Sequence, residues 1–122
     1  MRDLNLYIRT DKSFEQFVSD FNKLFSLNLS VQNEDNQFTC NYCCLDIEFL
    51  LYDNHNMEDD LGIEYSKYNI CLSLIKLNRG GVLKEYYDLY ESVAKYYAVK
   101  IFSELKLECI LVEDCQNILL QL

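Results

Sequence analysis

Basic residues are missing from a third of this chain, since no lysine or arginine occurs between Lys23 and Lys67. Proline and tryptophan are absent altogether, glycine occurs three times and histidine once. Without prolines, repeats or linkers, nothing divides the 122 residues. They suit one globular domain, 1–122, able to bury roughly two thirds of its unfolded surface. Three glycines leave no Gly-rich phosphate loop; Gly80-Gly81, beside Arg79, offers free N–H groups to an anion or simply makes a turn. The longest unbroken apolar runs, such as Phe49-Leu50-Leu51-Tyr52, are far below the ~20 residues that cross a bilayer. The start, MRDLNLYIRTDK, has neither the apolar run nor the cleavage site of a signal peptide. A cytoplasmic protein with no membrane association is expected.

What is present is apolar and acidic. Half the residues are apolar, with ten Tyr and seven Phe, so a packed core is expected and disorder is not. The 20 acids outnumber the 11 bases, for a net charge of −9. Nine acids fall in the base-free interval: Glu34, Asp35, Asp46, Glu48, Asp53, Glu58, Asp59, Asp60 and Glu64. The remaining 11 acids are matched by the 11 bases, so the net charge belongs to one contiguous third of the chain. On one face it would attract basic surfaces and repel nucleic acid, which argues against DNA or RNA binding.

Periodicity outlines the fold. Leu4, Leu6 and Ile8 alternate with polar residues as a first strand. SFEQ, Ser13 to Gln16, has the form of a capping box, and Phe14, Phe17, Val18, Phe21, Leu24 and Phe25 then mark a helix to about Leu27. Leu27, Leu29 and Val31 alternate as a strand, Asn33 to Asn36 is a turn, and Gln37 to Tyr52 reads as one bent strand or two. Asp53 to Gly62 is a polar loop, and Tyr68 to Ile75 a central strand ended by Asn78-Arg79-Gly80-Gly81. A second helix is expected from about Val82 to Leu105; its five tyrosines place some hydroxyls at the core's rim or an interface. Leu107, Cys109 and Leu111 predict another strand, and Asn117 to Leu122 a short last element. The order β-α-β-β-β-α-β predicts an α+β fold, a mostly antiparallel sheet of about five or six strands with two main helices on one face.

Six cysteines invite a metal or redox reading, above all CNYCC at Cys40 to Cys44. Zinc needs four converging ligands, and there is no second CxxC and no histidine besides His55. In one extended strand Cys43, Leu45, Ile47, Phe49 and Leu51 point one way and Cys40, Tyr42, Cys44, Asp46 and Glu48 the other, so the pair diverges. The cysteines read as small hydrophobes. His55, in the acidic stretch DNHNMEDD, sits where negative potential disfavours a thiolate partner. Asp53, His55, Glu58, Asp59 and Asp60 do not match a calcium loop's spacing. No metal, cofactor or catalytic residue is expected, and among so many acids no carboxylate pair stands out.

The acidic segment remains. It is a solvated face or a docking surface, and two features favour docking. It has no local basic partners, so mutual repulsion opposes folding unless a partner offsets it. Tyrosines are interleaved with the acids, as at Tyr42, Tyr52, Tyr65 and Tyr68, and aromatics anchor interfaces while charge speeds association.

The stretch MEDDLGIEYSKYNICLSL, Met57 to Leu74, joins an acidic turn, Gly-Ile, aromatic-Ser-x-Tyr and an apolar strand. It resembles the immunity proteins of bacterial polymorphic toxin and contact-dependent growth inhibition systems. The resemblance implies a cytoplasmic antitoxin, not an enzyme, that binds the basic C-terminal domain of one cognate toxin, often a nuclease, and blocks its active site or a nearby surface. Read from the residues, the toxin-binding candidates are Asp53, Glu58, Asp59, Asp60, Glu64, Tyr65 and Tyr68, joined by Asp46 and Glu48 if their face is exposed. The alternatives are a phage-type nucleic-acid mimic that inhibits a DNA-processing enzyme, and a small hydrolase. The oligomeric state is not readable from these features.

Overall fold

The computed structural model describes residues 3–77 and 84–122. The expected turn at Asn78-Arg79-Gly80-Gly81 and the expected helix start at Val82 lie outside those residues. The fold is α+β. Its elements are β1 (Leu4–Ile8), α1 (Phe14–Phe25), β2 (Gln32–Glu34), β3 (Gln37–Cys44), β4 (Ile47–Asp53), β5 (Ile70–Lys76), α2 (Lys84–Leu105), β6 (Cys109–Glu113) and β7 (Asn117–Gln121), with a 3₁₀ turn at Tyr65–Lys67. The strands form one antiparallel sheet in the order β2-β3-β4-β5-β1-β6-β7. It has seven strands where five or six were expected, because Gln37 to Tyr52 folds back on itself and the C-terminal residues pair with β6.

That fold-back corrects the expected placement of the cysteines. Leu45 and Asp46, both at positive φ, make a two-residue hairpin turn whose twist suits antiparallel strands. Such a turn pairs even positions of β3 with odd positions of β4 and odd with even: Cys40 lies opposite Leu51, Tyr42 opposite Phe49 and Cys43 opposite Glu48. Cys40 is therefore in the core beside Phe49, while Cys43 is exposed on the other face with Glu48, the reverse of what one continuous strand requires.

Helix α1 begins as its sequence dictates. Ser13 caps it by accepting from the Gln16 N–H at 3.2 Å, while the Gln16 amide donates to Asp20, so only the hydroxyl half of the expected box is formed. Ser26 ends the helix in the left-handed region, with the Leu27 N–H on the Asn22 carbonyl. The expected strand over Leu27, Leu29 and Val31 is absent. These residues half-bury their side chains against the core, but the Asn22 amide takes the place of a neighbouring strand, bonding both the N–H and the carbonyl of Leu29.

Both helices cover one face of the sheet. Phe14, Phe17, Val18 and Phe21 of α1 and Tyr90, Ala94, Ala98 and Ile101 of α2 pack on Leu4, Leu6, Ile8, Phe49, Leu51, Leu72, Leu74 and Leu111. Each buried Phe or Leu contributes about 1.5–3 kcal/mol. An aromatic cluster joins the layers: Phe25 stacks on Tyr97 at 4.3 Å, Tyr97 lies 5.1 Å from Phe49, and Phe49 stacks on Tyr42 at 4.7 Å.

Three of the α2 tyrosines place their hydroxyls on partners. Tyr97 accepts from the Tyr42 hydroxyl at 2.7 Å, and the Tyr86 hydroxyl donates to the Asp46 carbonyl. The buried Tyr90 hydroxyl donates to the Leu74 carbonyl of β5 and accepts from the Leu4 N–H of β1. Buried Lys76 sets its ammonium 4.2 Å from the Tyr87 ring centroid and 5.1 Å from that of Tyr90.

Replacing Tyr90 with Phe keeps the packing and leaves a buried carbonyl and N–H without their shared partner. A loss of about 1–3 kcal/mol is expected in urea unfolding, with the slope unchanged.

Candidate binding surface

The sheet's second face is also apolar at its centre. Tyr7 of β1, Cys71 of β5 and Ile110 and Val112 of β6 are buried there, covered not by a helix but by residues 54–69. Ile63, Tyr65 and Tyr68 are the covering side chains, with Met57 and Tyr52 at the margin. Tyr65 is fully buried, its ring 4.9 Å from that of Tyr7 and its hydroxyl donating to the Cys115 carbonyl at 3.0 Å. Burial raises its pKa, with Cys115 and Asp60 adding to the shift.

Polar clamps hold the loop at both ends. Asn69 exchanges two hydrogen bonds with the Thr10 backbone, at 2.8 and 2.9 Å. His55 Nδ1 accepts from the Met57 N–H at 2.9 Å, which leaves Nε2 to carry the proton and donate to the Tyr68 carbonyl at 2.6 Å. The ring meets Tyr7 edge-on at 5.4 Å. Both nitrogens of the sole histidine are thus committed to loop structure.

The loop's tip is a tight turn. Asp60 and Ile63 exchange backbone hydrogen bonds at 2.8 and 3.1 Å around Leu61 and Gly62, both at positive φ. Glycine suits that position; Leu61 is strained there and held by the turn. Asp60 Oδ1 accepts from the Leu61 N–H, and Asp59 accepts from both the N–H and the hydroxyl of Ser66. The bonds from Ser66 pull the Asp59 pKa below its ordinary 3.8.

The nine candidate residues do not form one surface. Glu58, Asp59, Asp60 and Glu64 are exposed together on the loop. Asp53, half-buried at the end of β4, accepts from the Phe38 N–H at 2.8 Å. Asp46 and Glu48 lie toward the other end of β4, about 20 Å of extended chain away. Asp46 is exposed in its hairpin turn, and Glu48 accepts from the Asn41 amide at 3.1 Å. Tyr65 and Tyr68, at 0 and 4 % exposure, are buried anchors of the loop over the sheet face beneath and offer a partner almost no surface.

In their place stands a residue that alternation did not single out. Leu61, 65 % exposed, projects at the tip of the turn among Asp59, Asp60 and Glu64. Its signal was an apolar side chain inside a run of turn-forming residues.

Beside the loop a hollow of about 180 Å³ is lined by Ile63, Glu64, Lys67, Tyr68, Ile110, Ile118 and Gln121, with Gly62 at its edge. A groove of about 490 Å³ lies between the β2–β3 turn and residues 54–56, lined by Glu34, Asp35, Asn36, Gln37, Asn54 and Asn56. Neither is lined by His55 or a cysteine. Among the described residues no three His, Cys, Asp or Glu side chains gather as a metal site, and no helix is long and apolar enough to cross a membrane. All six cysteines are free, and burial pushes the thiols of Cys40 and Cys71 up to about 11 and that of Cys109 to about 12. Those three thiols stay protonated at neutral pH. Compared with family models, with curated proteins and with solved structures, the chain matches none.

Because Asp59 is lowered in the folded loop, its contribution is present above the ordinary aspartate value and lost as pH falls through the depressed one. An NMR titration is expected to show Asp59 protonating below 3.8, and Ser66→Ala, which removes the hydroxyl bond but keeps the backbone N–H, to return it only part of the way. Protection of the Ser66 amide, its exchange taken relative to the intrinsic rate at the same pH, then falls as Asp59 protonates in the wild type.

Proposed function

We propose that this chain is a non-catalytic binding protein that presents a pre-formed acidic loop to a basic protein surface. The particular protein we infer is an immunity protein, which neutralises the basic C-terminal domain of one cognate toxin by one-to-one binding. The observation that carries the reading is Leu61: an exposed apolar side chain held in a hydrogen-bonded turn and ringed by carboxylates. Such a turn supplies an anchor whose ordering is already complete before binding, while the surrounding charge raises the association rate. Residues 24–66 contain no base, and the loop's one lysine, Lys67, follows the acids and lies 3.5 Å from Glu108, so a partner's lysines or arginines would relieve the acids' repulsion.

Blocking a nuclease fits this chemistry, since carboxylates stand in for the phosphates that such an enzyme holds. The alternative, a nucleic-acid mimic directed at a DNA-processing enzyme, calls for carboxylates spaced along one axis. The distance between the Asp46–Glu48 region and the loop favours a compact dock over an extended mimic.

Two variants separate the loop's contributions. Glu58→Lys with Glu64→Lys reverses exposed charges without touching the bonds of Asp59 and Asp60. Leu61→Ala removes the anchor and relieves no charge. With the partner captured from the native organism and purified, wild-type protein is expected to abolish its activity at an equimolar ratio. The charge variant should slow association about tenfold or more at low salt, with the difference fading as salt rises. Leu61→Ala should speed dissociation, costing about 1–3 kcal/mol. Normal association by the charge variant at low salt would show that the loop is not the site.

A further inference from the structure

The helix layer carries a second surface, on the side of the molecule opposite the acidic loop. On α2 the residues Leu89, Ser92, Tyr96, Val99 and Ser103 recur at alternating intervals of three and four, which lines them along one stripe. Leu89, Tyr96 and Val99 are 42, 50 and 50 % exposed, and Phe102, beside the stripe, is 43 % exposed. The buried Tyr90, Ala94, Ala98 and Ile101 occupy the other side of the helix, against the sheet. A helix that packs on a core by one side ordinarily presents charged residues on the other. Here the outward side is a seam of apolar and small residues.

The charges beside the seam are divided along its length. Between Lys84 at its start and Glu104 near its end, Glu85, Asp88 and Glu91 lie in the first half of the helix and Lys95 and Lys100 in the second. A parallel copy would set acid against acid and base against base. An antiparallel copy sets each acidic half against a basic half.

We propose that α2 pairs with α2 of a second copy, antiparallel, about a two-fold axis level with Ala94. In that register Leu89 meets Val99 of the second copy and Ser92 meets Tyr96, so a small residue faces a large one at each inner layer. Glu85, which continues the stripe one turn before Leu89, falls within about 5 Å along the axis of Lys100 of the second copy, and Asp88 within about 8 Å of Lys95 on the same flank of the seam. The pairing is isologous, so every contact occurs twice. Glu91 and Lys95 already pair along the helix at 3.0 Å, which holds the lysine beside the seam. Helix pairing leaves residues 54–69 uncovered, so the dimer and the proposed acidic dock are compatible and independent.

Sedimentation equilibrium of the full chain at micromolar to tens of micromolar concentration tests the pairing. The expected mass is twice the 14.5 kDa of one chain. Leu89→Glu with Val99→Glu is expected to give a monomer with an unchanged circular dichroism spectrum, both positions being exposed. Glu85→Lys with Asp88→Lys, and separately Lys95→Glu with Lys100→Glu, should each weaken self-association about tenfold or more, and mixing the two variants should restore dimers as heterodimers. A wild-type monomer, a dimer that persists in the double-glutamate variant, or a mixture of charge variants that stays monomeric overturns the proposal.

Discussion

The cover over Tyr7, Cys71, Ile110 and Val112 is the constraint on which the rest of this molecule depends. The central strands β1, β5 and β6 are apolar on both faces, and two helices cover only one of them. The second apolar row must be kept from water by something else, and the chain supplies residues 54–69, folded down through Ile63, Tyr65 and Tyr68. Burial of those three side chains is worth several kcal/mol in total, at about 1.5–3 kcal/mol for each large apolar group. That is enough to hold in place a loop that, by composition, would otherwise be solvated.

Charge follows from that placement. The loop's apolar residues face inward, so its acids face outward, and the most acidic turn in the chain is displayed on a fixed support. Hydrogen bonds within the loop relieve part of the resulting strain: Asp59 takes the N–H and hydroxyl of Ser66, Asp60 takes the Leu61 N–H, and His55 ties Met57 to Tyr68. These bonds also divide the acids by role. Asp59 and Asp60 shape the turn, whereas Glu58 and Glu64 give it charge. On the proposed reading, the exposed Leu61 between them is what would set the surface apart from a solvated acidic patch.

Helix α1, the central strand β5 and the two-layer α+β plan were legible from periodicity because each has one face, or two, that must be apolar whatever its neighbours are. The β3–β4 turn was not, since Leu45-Asp46 has none of the Asn-Gly or Asp-Gly chemistry that marks a two-residue hairpin. Missing that turn inverted the faces of Cys40 and Cys43. The alternation at Leu27, Leu29 and Val31 was real and its apolar side chains do face the core, yet the Asn22 side chain replaced the strand that would have paired there. At the candidate surface the acids were visible as charge. The inward direction of Tyr65 and Tyr68 was not legible, because a tyrosine among carboxylates looks the same whether it anchors a loop inward or a partner outward.

The sequence by itself determined which segments carry apolar periodicity, where the charge is concentrated and which chemistries lack their residues, because these depend on residue identity and spacing along the chain. Only the tertiary structure decided which way each side chain in the acidic segment points. That direction depends on whether the sheet face beneath is already covered, a fact set by strand order and by helices distant in sequence. The same dependence separated Asp46 and Glu48 from the loop acids, buried both tyrosines and left Leu61 exposed.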